Sequence, residues 1–349
     1  MRVMVRADAS TALGWGHVKR CLALAQALRD RGADVRFVSS PGDLDVPAMV
    51  AAAGFGGRCL RPTGDDAADT LAALGDWAVD AVVVDHYRLA ADWHQRVRAA
   101  TGACLAVIDD LADRPLAPDL LIDHNPAPDH AAKYRAVLQC EAELCGGPRW
   151  ALLDAVYADH ARHRLQPRVR SLGVFMGGTD ADDVSSWAVW ACRHEAGWSG
   201  PIEIASTSGN PSLGALQALS AADAGVTLLL DQPNLADFHV RHDLQIGAGG
   251  GATWERCCLG VPAIVLVCAD NQRHSVPWLA EAGAALTGDA IGRTPAQATA
   301  LAAMVRQLID SAAARETLHR GALALVDGQG ARRVADRLLA RAGRRVCEA

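Results

Sequence analysis

The chain has no excess of positive charge: 40 Asp and Glu against 34 Lys and Arg leave a net charge of −6 over 349 residues. A nucleic-acid binder normally presents a basic face, so no nucleic-acid partner is expected. No apolar run approaches the length needed to cross a bilayer, so no membrane span is expected either. The first residues, Met1-Arg2-Val3-Met4-Val5-Arg6-Ala7-Asp8, are too charged for a signal h-region and read as a first strand. A C-x-x-C pair is also missing. The ten cysteines stand at 21, 59, 104, 140, 145, 192, 257, 258, 268 and 347, mostly inside apolar segments, as small buried hydrophobes do. A zinc site wants paired ligands at short spacing, so no metal is expected, and reduced core cysteines suit a cytoplasmic protein. Two nucleotide fingerprints are absent as well. A dinucleotide G-x-G-x-x-G needs glycine where Lys19 stands, and no G-x-x-x-x-G-K-[ST] occurs, which disfavours NAD chemistry and P-loop phosphoryl transfer and leaves no cofactor implied.

Half of the residues are hydrophobic, and the length suffices for two domains of ordinary size. Short β-branched runs alternate with longer helical stretches, the pattern of a parallel α/β sheet. In the first half, strands are expected near Arg2–Arg6, Val35–Ser39, Ala81–Asp85, Cys104–Asp109, Leu120–Asp123 and Glu143–Cys145. In the second they are expected near Ser171–Met176, Ile202–Ala205, Val226–Leu230, Leu244–Ile246 and Ala263–Val267. A helix after His17 carries Val18, Cys21, Leu22, Ala25 and Leu28 on one face, with Gly32 where a C′ residue would be. Further helices are expected to begin near Ala181, Pro233, Thr253, Gln272 and Thr294. The polar stretch Asp154–Arg170 marks a junction, so residues 1–160 and 161–330 are expected to form two Rossmann-like domains with a cleft between them. The basic amphipathic helix within 331–349 could pack back across that junction.

In such sheets ligands bind beyond the carboxyl ends of the strands, which makes strand-end residues the candidates. The strongest motif is Gly247-Ala248-Gly249-Gly250-Gly251-Ala252-Thr253-Trp254-Glu255, where a strand opens through glycines into a helix. Glycines let backbone amides approach a ligand, and exposed N–H groups at a helix start suit a diphosphate. Glu255 in the first turn can accept from both ribose hydroxyls, or simply complement the helix dipole. Asn271 and Gln272 follow the next strand and offer amides to sugar hydroxyls. Met176-Gly177-Gly178-Thr179-Asp180 borders the phosphates or nucleoside, or is a tight turn with Thr179 or Asp180 as N-cap. Asp85-His86-Tyr87, Asp109-Asp110 and Asp123-His124 could build a metal site or cap turns, with Tyr87 the residue to touch ligand. In Gly14-Trp15-Gly16-His17, an imidazole sits where a glycine turn meets a helix start. It is either a base beside an anion site or a solvated, capping histidine.

Taken together, Arg6-Ala7-Asp8-Ala9-Ser10, Gly14-x-Gly16-His17-Val18-Lys19-Arg20 and Val84-Asp85-His86-Tyr87 resemble the N-terminal half of one family. It is the UDP-2,4-diacetamido-2,4,6-trideoxy-β-L-altropyranose hydrolase family of pseudaminic acid biosynthesis. Cys145-Gly146-x-x-x-Trp150-Ala151-Leu152-Leu153 resembles its domain-junction segment, with Trp150 where Tyr is more usual. Met176–Asp180, Gly249–Glu255 and Asn271-Gln272 resemble its C-terminal half. Asp182-Asp183 and Trp15 depart from the pattern. The resemblance implies a GT-B-like fold related to the N-acetylglucosaminyltransferase that forms lipid II, with UDP held mainly by the second domain. It implies His17 as catalytic base activating water, with inversion at C1, and Tyr87, Asn271 and Gln272 at the sugar. Gly16, Gly178, Thr179, Gly249, Gly250, Gly251, Thr253 and Glu255 would hold UDP, the one partner implied being a UDP-sugar. The sequence leaves the oligomeric state open.

Overall fold

A computed structural model describes residues 1–11 and 14–348, the last four in backbone only, so the side chain of Cys347 lies outside the described residues. The chain divides into two compact units, residues 1–155 with 328–349, and residues 156–327.

The first unit is a seven-stranded, all-parallel sheet of β1 (Arg2–Ala7), β2 (Asp34–Ser39), β3 (Gly56–Cys59), β4 (Ala81–Asp85), β5 (Cys104–Ile108), β6 (Leu120–Asp123) and β7 (Glu143–Gly146). Their order is 3-2-1-4-5-6-7. The central runs Val82-Val83-Val84 and Leu105-Ala106-Val107 are buried on both faces, as a helix-covered parallel sheet requires. The second unit repeats the plan with β8 (Leu172–Phe175), β9 (Ile202–Ser206), β10 (Val226–Leu230), β11 (Leu244–Ala248), β12 (Ala263–Val267) and β13 (Leu286–Asp289) in the order 10-9-8-11-12-13. Two Rossmann-like units therefore match the α/β expectation. Strand order reverses between β1 and β4 in the first sheet and between β8 and β11 in the second, and at such switch points the loops diverge and leave room for a ligand.

Among the described residues, eleven of the thirteen strands coincide with the sequence reading to within two residues. β3 and β13 lie outside it: each carries glycine inside four residues, and β3 is an exposed edge strand, so neither shows an apolar alternation. Helix starts shift for local reasons. The helix expected near Ala181 begins at Val184, because Asp180 and Asp183 take positive φ angles of 32° and 52° and cap it instead. Gln272 closes a 3-10 turn, and the helix proper runs Ser275–Glu281. The first helix ends at Arg29, and Gly32, at φ 82°, completes the turn that follows rather than the helix cap. The C-terminal helix, Gly330–Glu348, belongs to the first unit and packs against the Gly16–Arg29 helix and β5. No helix among the described residues is long and apolar enough to cross a membrane.

Candidate functional site

In the first unit, the chain leaving β1 turns through Gly14, at φ 71°, and enters a helix at Gly16. Among the described residues neither a side-chain cap nor an acidic residue occupies that helix start. His17 is the second helical residue and is 7% exposed. Its Nδ1 lies 2.5 Å from Oδ1 of Asp85, the last residue of β4. Parallel pairing of Ala7 with Asp85 brings the two switch-point strands, and hence the two side chains, together.

Asp85 is fully buried and also accepts from Arg20 Nε at 2.5 Å, Arg20 Nη2 at 2.7 Å and Cys21 Sγ at 3.6 Å. Burial by itself would raise its pKa, but the Arg20 charge and the hydrogen bonds from Arg20 and His17 outweigh it and hold the carboxyl well below the usual carboxylate range. An ionised carboxylate is acceptor-only, so the ring nitrogen facing it must donate. Nδ1 of His17 is therefore the donor in this pair, which leaves Nε2 as the ring nitrogen turned away from Asp85. Tyr87 packs edge-on against the imidazole, ring centroids 4.6 Å apart, which fixes the ring plane. One turn of helix and one strand end thus hold the imidazole in a single orientation.

The neighbouring strand ends are occupied by paired charges. Arg6, wholly buried, bridges Asp8 at 2.5 Å and Asp66 at 2.7 Å. His86 Nδ1 accepts the amides of Arg88 and Leu89, so its Nε2 donates to Asp8 at 3.2 Å. Asp109 pairs with Arg114 at 2.6 Å, and Asp123 with Lys133 at 2.6 Å. Burial, assisted by the Arg20 charge, pushes the His124 imidazole down to about 3. Asp85, Asp109 and Asp123 thus neutralise cations and position side chains. No cluster of three or more metal-ligating side chains is present among the described residues.

In the second unit, β11 ends at Ala248, and Gly249–Gly251 lead into the Ala252–Leu259 helix. Gly249 donates its amide to the Leu266 carbonyl at 3.0 Å, whereas among the described residues no protein acceptor takes the amides of Gly250 and Gly251. A Cβ at Gly249 would lie 2.2 Å from Val276, while Cβ atoms at Gly250 and Gly251 would meet open space. Packing explains the first glycine; the other two leave the backbone open. Thr253 does not face that space. It is 2% exposed, its hydroxyl donates to the Ala248 carbonyl at 3.2 Å, and it accepts from Arg256 at 3.2 Å, so it braces the loop from below. Gln272 is half-buried, and its Oε1 accepts the Cys268 amide at 2.8 Å. Asn271 is exposed beside it. Gly178 and Thr179 follow β8 at the same switch point, and the Gly178 carbonyl accepts from Thr207 at 2.7 Å. Asp180 caps the next helix through the amides of Val184 and Ser185, both at 3.0 Å.

Glu255 is half-buried, with Oε2 at 3.3 Å from Nε2 of the fully buried His239. Nδ1 of that ring donates to Gln245 Oε1 at 2.7 Å, since the Gln245 amide nitrogen is engaged by the carbonyls of Phe238 and His239. Asp85 as the partner of His17, Arg20 as its counter-charge, His239 behind Glu255 and Arg256 beneath the loop escape a reading of the sequence. Only Arg20 carries a local signal, its i+3 spacing from His17 on one helical face.

No family model matches the chain. In sequence it is 24% identical over 287 residues, 81% of the chain, to UDP-2,4-diacetamido-2,4,6-trideoxy-β-L-altropyranose hydrolase of Campylobacter jejuni, covering 97% of that protein. It is 22% identical over 336 residues to the spore coat polysaccharide biosynthesis protein SpsG of Bacillus subtilis, covering 96% of each. Its fold matches MurG of Acinetobacter baumannii with a TM-score of 0.66 at 17% identity, over 97% of this chain and 99% of that one. The spinosyn rhamnosyltransferase SpnG complexed with thymidine diphosphate matches with a TM-score of 0.63 at 17% identity, over 96% of this chain and 100% of the other. The chain is a distant relative of a UDP-sugar hydrolase along most of its length and carries the GT-B fold of these glycosyltransferases.

Proposed function

We propose that this protein hydrolyses the anomeric C–O bond of UDP-2,4-diacetamido-2,4,6-trideoxy-β-L-altropyranose, releasing UDP and free 2,4-diacetamido-2,4,6-trideoxy-L-altrose in pseudaminic acid biosynthesis. The observation that carries the reading is the buried His17–Asp85 pair. A base needs an unprotonated nitrogen held in one orientation, and the acceptor-only carboxylate 2.5 Å from Nδ1 leaves Nε2 as that nitrogen. His17 Nε2 takes a proton from water, the water oxygen forms a bond to C1, and the bond from C1 to the UDP oxygen breaks with its electron pair leaving on the diphosphate. Attack opposite the leaving group inverts C1 through a transition state of oxocarbenium character. The uncommitted amides of Gly250 and Gly251 stabilise the charge that develops on the diphosphate. Glu255 accepts the ribose hydroxyls, and Tyr87 and Asn271 contact the sugar.

Replacing His17 by Asn should lower kcat by about 10²–10⁴-fold while UDP affinity stays within a few fold. Near-normal turnover would remove His17 from the mechanism. In ¹⁸O-water the label should enter the free sugar; label in UDP would mean attack at phosphorus. The structural neighbours favour a second reading, transfer of the sugar to an acceptor hydroxyl. UDP release from the UDP-sugar without any acceptor decides for hydrolysis, and release only on adding an acceptor decides for transfer.

A further inference from the structure

Arg256 is 1% exposed, yet no carboxylate pairs with it among the described residues. Its Nη2 donates to the Ala248 carbonyl at 3.0 Å and to Thr253 Oγ1 at 3.2 Å, while Nε and Nη1 have no hydrogen-bond partner. A buried guanidinium without a carboxylate is costly, and burial pushes its pKa down to about 10, still well above neutrality. Side chains on a helix lean toward its N-terminus, so from the second turn Arg256 reaches back beneath the glycine loop. Room for it comes from Gly247, where a Cβ would stand 2.3 Å from Nη1. The exposed cation on the following loop, Arg273, is paired with Asp270 at 2.9 Å and Asp289 at 3.0 Å.

We propose that Arg256 is a positioning residue and fixed counter-charge for a diphosphate. It pins the Ala248 carbonyl and Thr253, so that the amides of Gly250 and Gly251 point outward, and its charge, which no ion pair among the described residues takes up and Glu255 only partly offsets, lies below the turn on which the anion settles. An apolar side chain of similar length would fill the same space without the desolvation cost, so packing does not account for a cation there. Helix start and guanidinium have the same sign, and both are relieved when an anion binds. This rests on reading the second unit as the UDP site.

The test is calorimetric titration of the full chain, as wild type, R256M and R256K, with UDP, uridine and inorganic pyrophosphate. R256M should bind UDP and pyrophosphate roughly ten-fold or more weakly, bind uridine within two-fold of wild type, and melt no lower than wild type when unliganded. R256K, which keeps the charge, should stay within about five-fold of wild type for UDP. Equal UDP affinity in R256M, or a parallel loss of UDP and uridine, overturns the proposal. If R256M fails to fold, R256Q is the neutral variant, with the same expectation. Wild type that binds pyrophosphate but not UDP would refute the nucleotide reading and leave the anion role standing; wild type that binds neither refutes both.

Discussion

At the residue scale, the consequential feature is how burial sets the protonation of single side chains. Asp85 is the clearest case, a carboxylate kept ionised in the interior by Arg20 and by His17 itself. In D85N the shape remains, but the neutral amide no longer requires Nδ1 to be the donor. Turnover is expected to fall by about 10²–10⁴-fold with UDP affinity within a few fold, read from steady-state rates and UDP titration. A loss of UDP affinity as large as the loss of rate would mean that Asp85 holds the fold and not the base. Two other histidines of the same unit make a prediction about pH. Burial, reinforced by Arg114 and Arg98, pushes His94 down to about 3, and His124 lies equally low. Below an ordinary imidazole pKa of about 6.5 the unfolded chain binds protons that the folded chain refuses, so stability falls as pH drops from there toward 3. Burial displaces His163, His239 and His242 of the second unit in the same direction. Depressed carboxylates such as Asp85 lose their contribution only below about pH 4, so between pH 7 and pH 5 the loss comes from these histidines, opposed by the raised Asp123, Asp180 and His160. Urea unfolding should show a stability lower by about 2–4 kcal/mol at pH 5, and unchanged midpoints would contradict the assignment.

At the element scale, the glycine loop separates packing from binding. G249A places a methyl 2.2 Å from Val276 and should displace the Ser275–Glu281 helix, destabilising by about 1–3 kcal/mol in thermal melts. G250A and G251A point into open space, so their melting should stay close to wild type. Their UDP affinity should fall, because a Cβ holds the diphosphate off the backbone. Full UDP affinity in both would move the phosphate elsewhere. The elements themselves are largely legible in the sequence. Ala81–Asp85, Leu120–Asp123 and Ala263–Val267 match its reading to the residue, because continuous β-branched and aliphatic runs are what doubly covered strands need, and Val226–Leu230 matches as well although it is a half-exposed edge strand. β3 is invisible there because Gly56-Gly57-Arg58-Cys59 gains its extended form from pairing with β2, not from its own side chains.

At the scale of the whole molecule, the chain leaves the first unit at residue 155 and returns to it at 328. Gly330 permits the return, since a Cβ there would lie 2.2 Å from the Ala151 carbonyl. The helix it opens buries Val334, Ala335, Leu338 and Ala342 in the same core as Val18, Leu24 and Leu28. Deleting residues 330–349 should destabilise the first unit by about 3–6 kcal/mol, the worth of two large aliphatic side chains, measurable by chemical denaturation. An unchanged first-unit transition would show that this helix adds little.

Local sequence carries the alternation of strands and helices, the two-unit α/β plan, and the residues that stand at strand ends: His17, Tyr87, the Gly249–Gly251 turn and Glu255. Those are properties of near neighbours, set by side-chain periodicity and by the freedom of glycine. Which strand ends meet is a matter of tertiary structure alone. Asp85 lies 68 residues from His17 and becomes its partner because β1 and β4 are adjacent where the sheet order reverses. Thr253, a ligand contact by sequence, faces inward and braces the loop, while the half-buried Gln272 accepts the Cys268 amide through Oε1. Arg256 follows the glycine motif without belonging to it, and acquires its charge environment only when β11 and its helix pack around it. Burial and pairing across distant elements have no local signature, because they depend on what the fold brings to the other side.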